Sequence, residues 1–305
     1  MTGFERQLLM VGAPGTGKTS FLALLWLAIV GDYTPGLRLA SFQDDRTYLS
    51  LIASHLEHCD PALHTEFSED RALALSLLFG SDLEQVVLRI PDLSGETWLD
   101  ATVDRQWPVD VDEQIRRCEG VLLFMHANNF DAGATIGEVD ELAAIFSHDD
   151  AHDGPTVDGP RADAQSAVEA EGAPSSSAVR PPHTPPTQVA LVDALQLICE
   201  QRGRHPIRVS FVVSAWDLAA NGVTPSQFVA RNLPLLAQYI ETNREWLRVR
   251  LFALSAQGGD FVDETRREEL ARVDAAERAI VLNGDGSAVG VHQIAMWPLG
   301  AGHEI

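Results

Sequence analysis

Residues 12–20 read GAPGTGKTS. The spacing Gly12-x-x-x-x-Gly17-Lys18-Thr19 is a phosphate-loop pattern, and each residue type in it has a task. Gly12, Gly15 and Gly17 let backbone N–H groups approach phosphate oxygens, Lys18 reaches the β and γ phosphates, and Thr19 offers its hydroxyl to Mg²⁺. Pro14, Thr16 and Ser20 fill out the cradle. The pattern carries meaning only between a strand and a helix, and the flanks supply both. RQLLMVG (6–12) is short and apolar; the run starting at Lys18 stays apolar to Val30.

Working outward, strand-like and helix-like segments alternate. Helical spacing covers 47–59 (TYLSLIASHLEHC). Residues 71–79 and 85–90 read as strands, with Gly80-Ser81-Asp82 as a turn that would make them a hairpin. VLLFMHA (121–127) is a continuous apolar run, as in a strand buried on both faces. Residues 135–146 and 188–201 look helical, 207–213 and 246–254 look like strands, and a helix opens at Thr224-Pro225 and runs to about Thr242. The pattern predicts an α/β three-layer sandwich with a mostly parallel sheet, a P-loop NTPase fold. Between His148 and Thr187 the composition shifts to Asp, Glu, Ala, Ser, Gly and Pro, with no aromatic residue. Such a stretch cannot bury enough surface to offset its ordering entropy. It reads as a disordered acidic insertion in one domain spanning 1–305, because the far side completes the near side.

The bulk numbers narrow the partners. A net charge of −22 repels duplex nucleic acid and anionic membranes. Three scattered cysteines, Cys59, Cys118 and Cys199, lack disulfide or zinc spacing and fit half-buried thiols of a reducing cytoplasm. The N-terminal stretch fits no signal peptide, and FLALLWLAIV (21–30) is too short to span a bilayer. The histidines have no metal spacing; His55 and His58 read as an exposed helix face.

Residues 86–96 read VVLRIPDLSGE. A carboxylate at the tip of a neighbouring strand, Asp92, can hold the Mg²⁺ shell through water. Gly95, three residues on, can bring its N–H to the γ-phosphate, so the segment senses that phosphate. GAPGTGKT alone suits an AAA-type ATPase as well as a GTPase. Such an ATPase usually carries two adjacent acids after its strand, and here Leu93 follows Asp92.

VSFVVSAWDL (209–218) and LFALSAQG (251–258) are strands that end in short polar turns. They resemble, in order, the Asn/Thr-Lys-x-Asp and Ser-Ala-Lys motifs of Ras-like, TRAFAC-class GTPases. EGVLLFMHANN (119–129) is similar to the strand between them. The resemblance implies that Asp217 accepts from guanine N1–H and the N2 amino group. It places Ser255 and Ala256 at the base, with the Ala256 N–H facing O6. Ala215 stands where the first motif has its base-packing lysine, leaving Trp216 or another side chain to stack, and Gln257 replaces the second lysine. DLSGE, the SxxD turn, the large insertion and VHQIAMWPLG together resemble bacterial TRAFAC-clade double-GTPase domains, proteins associated with conflict or signalling operons.

For catalysis, Glu96 occupies the position just after Asp-x-x-Gly and could orient the attacking water, with Lys18 on the phosphates. Pro14 fills the space by which a partner's arginine would enter, which argues against such a finger; Arg105 or Arg116 could act in cis. Thr65 is the candidate switch threonine for Mg²⁺, in competition with Thr34 and Thr47. The expected protein is therefore a cytoplasmic, Mg²⁺-dependent GTP-binding switch with slow hydrolysis and protein partners. A P-loop ATPase and a nucleotide-stabilised scaffold without turnover are the alternatives.

Overall fold

The structure, a computed structural model, describes residues 4–42, 46–60, 71–79, 84–92, 98, 101, 109–131, 133, 185–219, 222–261 and 263–300. Before the insertion lie β1 (Phe4–Val11), α1 (Lys18–Val30), β2 (Leu37–Phe42), α2 (Arg46–Glu57), β3 (Arg71–Phe79), β4 (Glu84–Asp92), α3 (Val109–Arg117) and β5 (Gly120–His126). After it come α4 (Thr187–Gln201), β6 (Ile207–Ser214), α5 (Pro225–Asn232), α6 (Pro234–Thr242), β7 (Leu247–Ser255), α7 (Glu264–Leu270), α8 (Ala275–Arg278), β8 (Ile280–Asn283) and α9 (His292–Met296).

The eight strands form one sheet in the order β2-β3-β4-β1-β5-β6-β7-β8. The central run β4-β1-β5-β6-β7 is parallel. At one edge β3 is antiparallel to both β2 and β4; at the other, β8 is antiparallel to β7. Strand β5, before the insertion, pairs directly with β6, after it. Residues 1–132 and 185–305 make one compact unit, and 133–184 a second in which Gly133 is the sole described residue.

Both faces of the central strands are buried, which is why their sequences are nearly continuous hydrophobic runs. Leu8 and Met10 of β1, with Leu122 and Phe124 of β5, point into the core under α1 and α2. Leu9 and Val11, with Val121, Leu123 and Met125, point into the core under α3, α4, α5 and α6. This period-2 split makes the three layers. Helix α1 is apolar on all sides because it lies between the sheet and α2.

The expected strands at 71–79 and 85–90 do pair antiparallel, with Leu78 opposite Gln85; the turn between them lies outside the described residues, as does the helix expected at 135–146. Thr187, taken as the last residue of the insertion, is already the first of α4. The helix expected to run from 225 to 242 is two. Pro234 lacks an N–H, and the chain leaves helical geometry at Leu233 (φ −133°, ψ 54°), which is fully buried. Its start is as read: Thr224 and Gln227 form a reciprocal capping box. Strands β2 and β8 and helix α3 were not foreseen. In α3, Val111 and Ile115 are buried four residues apart, while Asp112–Arg116 and Glu113–Arg117 pair on the outside.

Candidate functional site

The turns that follow β1, β6 and β7 come together at the C-terminal ends of the parallel strands, where open α/β sheets hold ligands. Between them is a cleft of about 290 Å³. One end is lined by Gly15, Gly17 and Ser20, the other by Ala215, Asp217, Leu218 and Ala256.

The phosphate loop is built by close backbone approach. A Cβ at Gly12 would stand 2.7 Å from Thr16 Oγ1 and 2.9 Å from the Phe124 carbonyl oxygen, so any side chain there pushes the loop off β5. Gly17 is left-handed (φ +80°), and a Cβ on it would meet Ser214 at 3.1 Å. Lys18 is buried over the loop: its Nζ donates to the Gly12 carbonyl at 2.7 Å and to that of Ala13 at 3.0 Å. The Thr16 hydroxyl donates to Ala13 O at 2.8 Å. No side chain caps α1 at Gly17, so its first N–H groups and positive dipole end have the character that favours an anion. Pro14 is exposed at the loop tip. Thr19 and Ser20 are half-buried and reach a second, smaller cavity against His55, Leu56 and Asp60 of the α2 end.

Asp92 is the last residue of β4, next to β1. The parallel register brings Gln7 opposite Arg89, so Asp92 is carried on toward the level of the phosphate loop. Its side chain, and Gly95, Glu96 and Thr65, lie outside the described residues, as does Arg105. Two other candidates are placed elsewhere. Thr34 sits beyond the far end of α1, roughly 20 Å of helix from the loop; it is buried and donates to Leu37 O at 2.9 Å. Arg116 lies on the outer face of α3, paired with Asp112 at 2.6 Å and bonded to Gln201, not in the cleft.

At the other end, β6 stops at Ser214, whose hydroxyl donates to Met125 O at 3.1 Å. Ala215 follows in the left-handed region (φ +50°), unusual for a residue with a Cβ, and a single 3₁₀ turn (Trp216–Leu218) then presents Asp217 to the cleft. Ser255 is buried, and its hydroxyl accepts the Gly258 N–H at 3.1 Å; it shapes the turn that carries Ala256 and Gln257 into the cleft. Trp216 does not stack over the cleft. It packs edge-on against Phe228 at 5.5 Å, and Phe228 meets Phe130 at 5.8 Å, all on the α5 side of the sheet.

Three residues of the site went unread. His126 ends β5 and lines the cleft; burial lowers its pKa, and the Asp217 carboxylate works against that shift. Asp260 adds a second carboxylate to the cleft. Arg278 braces the turn after β7: a Cβ on Gly258 would stand 2.4 Å from the Arg278 carbonyl oxygen. The Arg278 guanidinium is buried, donates to Leu270 O (2.9 Å), Val273 O (3.1 Å) and Leu56 O, and faces the Phe261 ring. It thereby ties the ends of α2 and α7 together. A polar residue at the end of a central strand is the one signal that could have flagged His126; nothing local marks Arg278.

Among the described residues no His, Cys, Asp and Glu cluster is arranged to hold a metal, the three cysteines are free and buried, and no helix is long and apolar enough to cross a membrane. No curated protein matches the chain. A family model, however, matches residues 9–295, from within β1 to α9, taking in both ends of the cleft. With a phosphate loop on one doubly covered sheet and a family match over residues 9–295, the chain belongs to the Double-GTPase 1 family of nucleotide-binding P-loop proteins.

Proposed function

We propose that this protein is a GTP-binding switch with slow, Mg²⁺-dependent hydrolysis, acting on protein partners. The single observation that supports it best is the cleft itself, which runs unbroken from the phosphate loop to Asp217 and Ala256. Asp217 accepts from the N1–H and N2 amino donors of guanine, which adenine does not present in that arrangement. The Ala256 N–H serves guanine O6, and Ser255 holds its turn. At the other end Gly12, Pro14, Gly15, Thr16, Gly17, Lys18, Thr19 and Ser20 wrap the phosphates.

The donor set suits Mg²⁺: a hydroxyl at Thr19, in the first turn of α1, and a carboxylate at Asp92, at the end of the strand beside β1, are the hard oxygen ligands that ion takes, with Thr65 as a third. Bound there, the ion would neutralise charge between the β and γ phosphates. Gly95 reports the γ-phosphate, and Glu96 orients the attacking water. The reading carries with it a single domain interrupted by the acidic insertion, a cytoplasmic setting and a role in a bacterial conflict or signalling system.

The test is equilibrium binding of fluorescent GTP and ATP analogues with Mg²⁺, followed by single-turnover hydrolysis by wild type, Lys18→Ala and Glu96→Ala. Guanine preference with turnover that vanishes in Lys18→Ala supports the switch. Preference for ATP moves the protein to the ATPases, and tight binding with no turnover makes it a scaffold.

A further inference from the structure

His126 ends β5 in step with Leu122 and Phe124, which face α1, and it lines the cleft between the phosphate loop and the base turn. Its Nδ1 accepts the backbone N–H groups of Asn128 and Asn129, both at 3.1 Å. A nitrogen that accepts two donors carries no proton, so the ring's proton is on Nε2. Protonating Nδ1 would orphan both N–H groups, and burial opposes the charge as well. The ring is therefore held in one tautomer and one orientation, as a neutral donor.

What surrounds it gives that donor a use. Ala215 has no stem to lay along a base, and Trp216 is committed to Phe228 on the other side of the sheet. Among the described residues that line the cleft, His126 has the one ring. Among the described residues, the charged group that acts on it is the Asp217 carboxylate, and Asp260 also lines the cleft.

Resting on the guanine-nucleotide reading, we propose that His126 is a specificity-determining residue of the base subsite: its ring packs against the bound nucleotide, where no lysine stem at 215 is there to pack, and its Nε2–H donates a hydrogen bond to it. Two carboxylates then share the wall with a neutral donor, a combination that suits a purine with both donors and acceptors on its edge.

His126→Asn separates this role from mere loop capping. The asparagine Oδ1 takes the place of Nδ1 and keeps an acceptor for Asn128 and Asn129, while the ring and its donor are lost. With fluorescent GDP and ADP as probes, we expect an unchanged melting curve, a loss of GDP affinity of ~10-fold, and a reduced GDP-over-ADP ratio. Wild-type GDP affinity in folded His126→Asn overturns the inference and leaves the guanine reading standing. Wild type that binds both probes alike, or neither, overturns both. A measurement on the unaltered protein guards against a variant that fails to fold: the His126 ring nitrogen resonances should report the Nε2–H tautomer and shift on adding GDP, and resonances that stay put overturn the proposal.

Discussion

On the guanine-nucleotide reading the cleft has a phosphate end and a base end, and the two are built in opposite ways. The phosphate end is local: nine consecutive residues carry the glycines, the lysine and the hydroxyls, and the loop folds onto its own carbonyls through Lys18 and Thr16. The base end is assembled from the tips of three strands, with Asp217 after β6, Ala256 after β7 and His126 closing β5. It is braced by parts of the chain far away in sequence, since Arg278 lies under Gly258 and joins Leu56 to Leu270. A contiguous motif is legible and robust to substitution elsewhere. A composite site depends on its supports.

The largest effect should therefore come from the contiguous end. Lys18→Ala is expected to weaken binding of any nucleoside triphosphate by ~100-fold or more, with no change in base preference, in a fluorescence titration. If the preference changes along with the affinity, the two ends are not independent. Asp217→Ala should do the converse, cutting guanine-over-adenine preference by ~10- to 100-fold while ATP binding stays level. Equal losses for both nucleotides would place Asp217 in loop architecture instead.

The next effect acts through the braces. Arg278→Met removes the donor to three backbone carbonyls in a buried setting. It should cost about 1–3 kcal/mol in denaturant unfolding, and in the protein that remains folded it should weaken guanine binding more than phosphate binding. An unaltered unfolding midpoint would show that the clamp is dispensable.

A smaller effect is set by pH. His292 is buried at the start of α9, the helix that also accepts the Ser210 hydroxyl at Ile294 O, and its ring nitrogens have no partner among the described residues. Burial lowers its pKa from the ordinary histidine value. The unfolded chain therefore takes up a proton before the folded chain does. Stability from this residue is intact above the unfolded pKa, about 6.5, and is lost as pH falls from there through the folded value, with a slope of at most about 1.4 kcal/mol per pH unit. His292→Leu should flatten that part of the stability–pH curve; a curve of the same slope would assign it to other groups. Smallest of all, Trp216→Phe should leave nucleotide affinity within about twofold, because the indole packs on Phe228 and not on the cleft. A larger loss would return the tryptophan to the base site.

The sequence by itself determined the phosphate loop, the strand and helix around it, the alternating pattern that makes a doubly covered sheet, and the placing of Asp92 at a strand tip. These are encoded by neighbours: spacing, period and flanking turns fall within a dozen residues of each other. Asp217 and Ala256 were marked by the resemblance of two strand-end motifs to those of Ras-like GTPases. The sequence misjudged the helix at 225–242, where the helical spacing runs on past Pro234 and hides the missing N–H. Only the tertiary structure decided which side chains share the cleft. That Trp216 turns to the α5 face, that Thr34 lies at the far end of α1, that His126 lines the cleft and that Arg278 holds the turn at Gly258 all depend on which strand end meets which. Strand order joins residues more than a hundred positions apart, and no local pattern records that pairing.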